Sequence, residues 1–196
     1  MKCLLYLHGF LSSPFSFKAQ QVNSFLAAHY PHIKFACPHL TPYPKQTAEE
    51  LADILRQFAD DEVGIIGSSL GGFWANYLAQ TFNRKAVLIN PAVAPQAFMP
   101  DYLNRPLTGY HTADIYRLTP NHIDEVITYD VPLTYPDNLW VLLQTGDETL
   151  DYRHALTKYN GSKITLEEGG DHSFVGFERY LVPSLEFLFA DPSRNP

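Results

Sequence analysis

The sequence is short of the residues that would set it apart from ordinary globular chains. Only two cysteines, Cys3 and Cys37, occur in 196 residues. Two thiols make no disulfide framework, and both lie beside apolar, strand-like runs, so they read as buried and reduced. Basic residues are scarce too: 14 lysines and arginines stand against 21 aspartates and glutamates, a formal net charge of −7, and no Lys/Arg cluster interrupts the balance. That excludes a nucleic-acid partner. No apolar run approaches the ~20 residues that span a bilayer, which argues against a membrane partner. A secretory signal has no room, because Lys2 is followed by five apolar residues and then by His8-Gly9. The expectation is a soluble, cytoplasmic protein.

Hydrophobic residues make up 45% of the chain and charged ones 18%, proportions of a folded core rather than a disordered tail. A chain of this length buries roughly 70% of its unfolded surface. Internal repeats and linker-like stretches are missing, so residues 1–196 read as one domain.

Short apolar runs alternate with helical patterns. Cys3-Leu4-Leu5-Tyr6-Leu7, Ile33 to Cys37, Val63 to Ile66, Ala86 to Ile89, Trp140 to Leu143 and Lys163 to Leu166 read as strands. Between them, helices are expected at about 16–29 (with Phe17, Phe25 and Leu26 in its pattern), from an N-cap at Thr47 with Glu50 as a capping box to about Ala59, and from Leu70 onward. Strands alternating with helices imply right-handed crossovers and a mostly parallel, doubly wound α/β sheet. Residues 91–138 break the rhythm, holding seven of the 15 prolines and five of the 12 tyrosines. No clear strand shows there, although Thr119-Pro120 opens a helix to about Ile127. This stretch reads as a lid-like insertion, with Phe98, Tyr102, Tyr110, Ile115 and Tyr116 as candidate apolar lining.

The chain is organised around residues 62–78. Gly67-Ser68-Ser69-Leu70-Gly71 fits G-x-S-x-G, the nucleophile elbow, with Ser69 at its apex. A strand enters the motif, and Leu70, Phe73, Trp74, Tyr77 and Leu78 leave it as one face of a helix. Glycines are needed two residues either side of the apex, where side chains would clash. Ser68 is excluded as the apex because Ile66 stands two residues before it.

A serine hydroxyl needs a base to take its proton, and the base needs a carboxylate to orient it; in this fold the chain order is Ser, then Asp or Glu, then His. Asp147 follows the strand at 139–143, with Glu148 and Asp151 in the same loop. His172 lies in a glycine-flexed loop after the last strand. Of the eight histidines, only His154 and His172 come after Asp147, and His154 falls on a helix that reads as exposed. The His8-Gly9 loop after the first strand would supply the Phe10 amide to an oxyanion, with the Leu70 amide as the second donor. His29, His32 and His39 lack the i,i+4 pairing of a helical metal site, and the constellation calls for no metal or cofactor.

His8 to Pro14, Gly67 to Ala75, Asn90-Pro91-Ala92-Val93, Gly146-Asp147-Glu148 and Glu167 to Phe177 together resemble the YqiA-type small bacterial esterases. The similarity spans nearly the whole chain and is weakest at about 95–118. The resemblance implies an α/β-hydrolase fold shortened at its N-terminus, the first strand here standing where larger members have their third. It also implies a serine esterase acting on a small-molecule acyl ester, of short acyl chain. An acyl-CoA thioesterase or acyltransferase would use the same triad, and a catalytically silent binding protein on this fold would keep the frame without the chemistry.

Overall fold

The computed structural model describes residues 1–189; the last seven residues of the span expected to form one domain lie outside them. The elements run β1 (Lys2–Leu7), α1 (Phe17–His29), β2 (Ile33–Ala36), α2 (Pro44–Gln57), β3 (Glu62–Ser68), α3 (Leu70–Phe82) and β4 (Ala86–Ile89). After a segment of short turns come β5 (Pro106–Thr108), β6 (Ile115–Arg117), α4 (Pro120–Thr128), β7 (Leu139–Gln144), α5 (Tyr152–Lys158), β8 (Lys163–Glu167) and α6 (Leu181–Leu188).

Six strands form one sheet in the order β2-β1-β3-β4-β7-β8, and every neighbouring pair is parallel. The central strands are apolar except at their ends because helices cover both faces. β1 shows how its side chains divide. Cys3, Leu5 and Leu7 enter a core with Leu51 of α2 and Phe73 of α3, while Leu4 and Tyr6 point the other way, toward Val22 of α1 and Leu185 of α6. The period-2 alternation of a strand thus serves two cores at once. Chain direction across the sheet reverses between β1 and β3, and ligands of open parallel sheets bind at the carboxyl ends of strands beside such a reversal. Leu7 pairs with Gly67 there.

Three expectations need correction. α2 begins at Pro44, with Tyr43 as N-cap, instead of at a Thr47 cap. Proline is favoured in the first helical turn, where its missing N–H costs nothing. Thr47 is buried inside the helix and its hydroxyl donates to the Thr41 carbonyl. In α1 the inward residues are Ala19, Val22 and Leu26, whereas Phe17 is 81% exposed. Finally, the stretch 91–138 does contain strands. β5 and β6 pair antiparallel through Pro106–Arg117, Leu107–Tyr116 and Thr108–Ile115, three residues each, too short for an alternation to show in the sequence. α4 opens at Pro120, where the Thr119-Pro120 pair predicts it.

Candidate active site

Ser69 sits between β3 and α3 with φ 57° and ψ −122°, a region that non-glycine residues avoid. Its neighbours hold it there. The Ser69 amide donates to Ile89 at the end of β4 (3.0 Å), and its carbonyl accepts from Gly72 and Ala92 (2.9 Å each). Strain of this kind persists only when the surroundings over-determine it. The flanking glycines are a steric requirement: a side chain at Gly67 would strike the Gly71 carbonyl, and one at Gly71 would strike the Leu7 carbonyl.

His172 Nε2 lies 3.0 Å from Ser69 Oγ. On the other side of the ring, Nδ1 lies 2.9 and 2.8 Å from the two Asp147 carboxylate oxygens. A carboxylate only accepts, so Nδ1 carries the proton and Nε2 turns its lone pair to the serine. The Asp147 side chain is 2% exposed, and its Oδ1 also accepts from the amides of Thr149 and Leu150 at 2.9 and 2.8 Å. The other acids of this loop point elsewhere. Asp151 caps α5 and pairs with Arg153. Glu148 Oε2 accepts the His172 amide at 3.0 Å, and amide donors, its own and that of His172, hold its carboxyl below the usual range. His154 is exposed on α5 and is not among the residues lining the cavity around Ser69.

Phe10 and Leu70 line the same cavity as Ser69 and His172, and among the described residues neither amide makes a loop or cap hydrogen bond. The Phe10 amide is oriented through His8. Leu40 N–H donates to His8 Nε2 at 2.9 Å, so Nδ1 bears the ring proton and donates to the Gly9 carbonyl, also at 2.9 Å. In a trans peptide the N–H points opposite to the C=O. Fixing the Gly9 oxygen therefore fixes the Phe10 N–H on the opposite side of the same plane. His8 is 2% exposed, and burial, partly offset by the bond to Gly9, pushes its pKa down to about 4.

Two buried side chains that the sequence reading passed over hold the loops together. Asn90, at the end of β4 with φ 38°, donates to the carbonyls of Asp171 (3.0 Å) and His172 (3.2 Å) and accepts from Gln144 N (3.0 Å). Gln144 Oε1 accepts from Asp171 N (3.2 Å) and Val175 N (2.8 Å), while its Nε2 donates to Glu167 and to the Val175 carbonyl. Each is a polar residue closing an all-apolar strand at the sheet's carboxyl edge, the one signal in the sequence that marks them.

The cavity has a volume of about 630 Å³, within the usual range of small-molecule sites. Of the five residues expected to line it from the insertion, Phe98, Tyr102 and Tyr110 do so. Ile115 is 69% exposed, and Tyr116 stands against Tyr43 with its hydroxyl 2.9 Å from His39 Nε2. Among the described residues, no cluster of three or more His, Cys, Asp or Glu side chains is placed to hold a metal, and no helix is long and apolar enough to cross a membrane.

The sheet, the strained turn after β3 and the two loops facing it define an α/β-hydrolase fold. Solved structures share it. Est1E from Butyrivibrio proteoclasticus, with ferulic acid bound, superposes with a TM-score of 0.73 at 13% identity, covering 99% of this chain and 90% of that one. Mouse alpha/beta hydrolase domain-containing protein 10 gives 0.70 at 16%, covering 94% and 87%. At such identities the likeness is one of fold. The chain belongs to the Uncharacterised protein family (UPF0227), whose model matches residues 3–189. Its relatives include YcfP of Salmonella paratyphi A, 26% identical over 180 residues, 91% of this chain and 94% of that protein. A Shewanella woodyi member is 32% identical over 104 residues, so that match spans 53% of this chain and 58% of the relative. The family resemblance read from the motifs holds.

Proposed function

We propose that this protein is a serine hydrolase that cleaves carboxylic esters of small acyl groups through Ser69, His172 and Asp147. The observation that carries the reading is the unbroken relay from the Asp147 carboxylate through His172 to Ser69 Oγ, with 2.8 and 3.0 Å steps.

In this reading Ser69 Oγ attacks the ester carbonyl carbon while its proton passes to His172 Nε2. The carbonyl π pair moves onto oxygen, and the amides of Phe10 and Leu70 receive the oxyanion. Removing one donor of this kind costs roughly 10²–10³ in rate. The pair returns, the bond to the leaving oxygen breaks, and His172 hands it the proton, releasing the alcohol. Water then attacks the acyl-serine as His172 Nε2 takes one of its protons. Collapse frees the acid, and the proton returns to Ser69 Oγ. Asp147 stabilises the transient imidazolium and stays ionised. No step needs a metal or cofactor.

Hydrolysis of p-nitrophenyl acetate, butyrate and octanoate, wild type beside Ser69→Ala, tests the reading. The expected loss on substitution approaches the ~10⁶-fold seen for a triad nucleophile, with stoichiometric fluorophosphonate labelling of the wild type alone. A wild type no faster than the alanine variant on all three esters, yet labelled at Ser69, would move the reading to thioesters; no labelling would leave a silent fold.

A further inference from the structure

The cavity wall beside His172 carries a lysine for which the relay has no use. Lys18 lies in the first turn of α1, lines the cavity and donates to the Ser173 carbonyl, the residue after His172. Burial lowers its pKa, while the charge of Asp171 counteracts that shift. Asp171 does not line the cavity, so it helps keep Lys18 charged without occupying the space in front of it. Three serines outside the elbow line the same cavity: Ser12, Ser173 and Ser16, which sits at the N-cap of α1 without a side-chain capping bond. Among the described residues the other charged one lining the cavity outside the relay, Asp101, belongs to the insertion and is not among the charges Lys18 feels.

A structural clamp on Ser173 would not need a cation, since a neutral donor can bond a carbonyl. A partly desolvated ammonium with protons left over, facing a substrate-sized space lined by hydroxyls, suits a carboxylate. The side of the substrate follows from the chemistry. The leaving oxygen must reach His172 Nε2 to take its proton, so the alcohol part lies on the His172 side of Ser69, where Lys18 stands. Among the described residues Lys18 is the one lysine or arginine lining the cavity, and in a chain of net charge −7 one such cation favours a single carboxylate over a polyphosphorylated leaving group such as coenzyme A.

We propose that the substrate is an ester of a hydroxy acid, a small acyl group on an alcohol that bears a carboxylate received by Lys18 with the hydroxyls of Ser12, Ser16 and Ser173. This deepens the hydrolase reading and rests on it.

The test compares 3-acetoxybenzoate with the neutral, nearly isosteric 3-acetoxybenzamide, each rate divided by its rate with hydroxide. In wild type, kcat/KM favours the carboxylate by about ten- to hundredfold, the worth of one charge-assisted hydrogen bond. Lys18→Met brings that ratio to about one, and Lys18→Arg largely restores it. A ratio near one in wild type, or a Lys18→Met loss equal for both esters, overturns the proposal while hydrolysis of the benzamide upholds the esterase reading. Binding of 3-hydroxybenzoate to Ser69→Ala protein, followed by titration calorimetry, needs no turnover. Saturable binding abolished by adding Lys18→Met supports the site even if neither ester is cleaved, and no binding refutes it.

Discussion

Replacing Asn90 separates the role of the loop framework from that of the reacting groups. In Asn90→Ala, the buried Gln144 amide loses its acceptor, which costs about 1–3 kcal/mol. The carbonyls of Asp171 and His172 lose their shared donor, but both are near enough to solvent for water to serve them in part, so about 1 kcal/mol covers the pair. Position 90 has a positive φ of 38°, which asparagine tolerates better than alanine by about 1 kcal/mol. The sum is about 3–5 kcal/mol, a large fraction of a typical domain's stability. Asn90→Gly removes the same bonds without the backbone cost and should be more stable than the alanine variant by about 1 kcal/mol. Urea unfolding with unchanged slope measures both. Because the His172 carbonyl is released while its amide stays bound to Glu148, the imidazole should drift rather than detach, and a displacement of about 1 Å costs on the order of 10² in rate. An Asn90→Ala protein within 1 kcal/mol of wild type and within twofold in kcat/KM would refute the idea that this residue ties the His172 loop to the sheet.

Asp147→Asn should lower kcat by about 10⁴, as a wrong imidazole tautomer does, while Asp151→Asn leaves it unchanged and Glu148→Gln costs about tenfold or less, since an amide oxygen still accepts from His172 N; steady-state rates of the three decide which acid orients the base. Gly71→Ala drives a methyl into the Leu7 carbonyl and should destabilise by roughly 3 kcal/mol or more, read as soluble yield and thermal midpoint. His8 has a folded pKa of about 4 against an ordinary 6.5, so the unfolded chain binds the proton first as pH falls. Its contribution is complete above pH 6.5 and is lost as pH falls toward 4, roughly 3 kcal/mol in all. His8→Gln should flatten that part of the stability–pH curve.

The strands and the elbow are legible because each announces itself locally. β1, β3, β4 and β7 have apolar centres with polar residues only at their ends, and the serine at position 69 has glycines where the backbone approaches within contact of Leu7 and Gly71. Asp147 and His172 are legible by chain order, the one following a strand's end and the other following glycines. The geometry relating them is not local: it depends on the register of β3, β4, β7 and β8, and so on Asn90 and Gln144, single polar residues whose partners lie up to 82 positions away. The α2 start was misplaced because a threonine three residues before a glutamate has the same pattern as a cap, and only packing shows Thr47 to be inside. The β5–β6 hairpin is too short to have a period. Lys18 looks in sequence like any lysine on a helix, and the loop that gives it meaning is 155 residues further on.

The strand order has a consequence in time. The serine belongs to a turn held by β3 and β4, within the first four strands of the sheet to be made, yet the groups proposed to activate it follow the last two, β7 and β8. During synthesis the strained turn at Ser69 can form against β1 and β4 long before His172 leaves the ribosome, so the nascent chain carries the Ser69 hydroxyl without its proposed base until the final loop docks. Any product truncated before that loop would keep much of the sheet and none of the proposed chemistry, and the onset of hydrolysis would report the docking of the last strand.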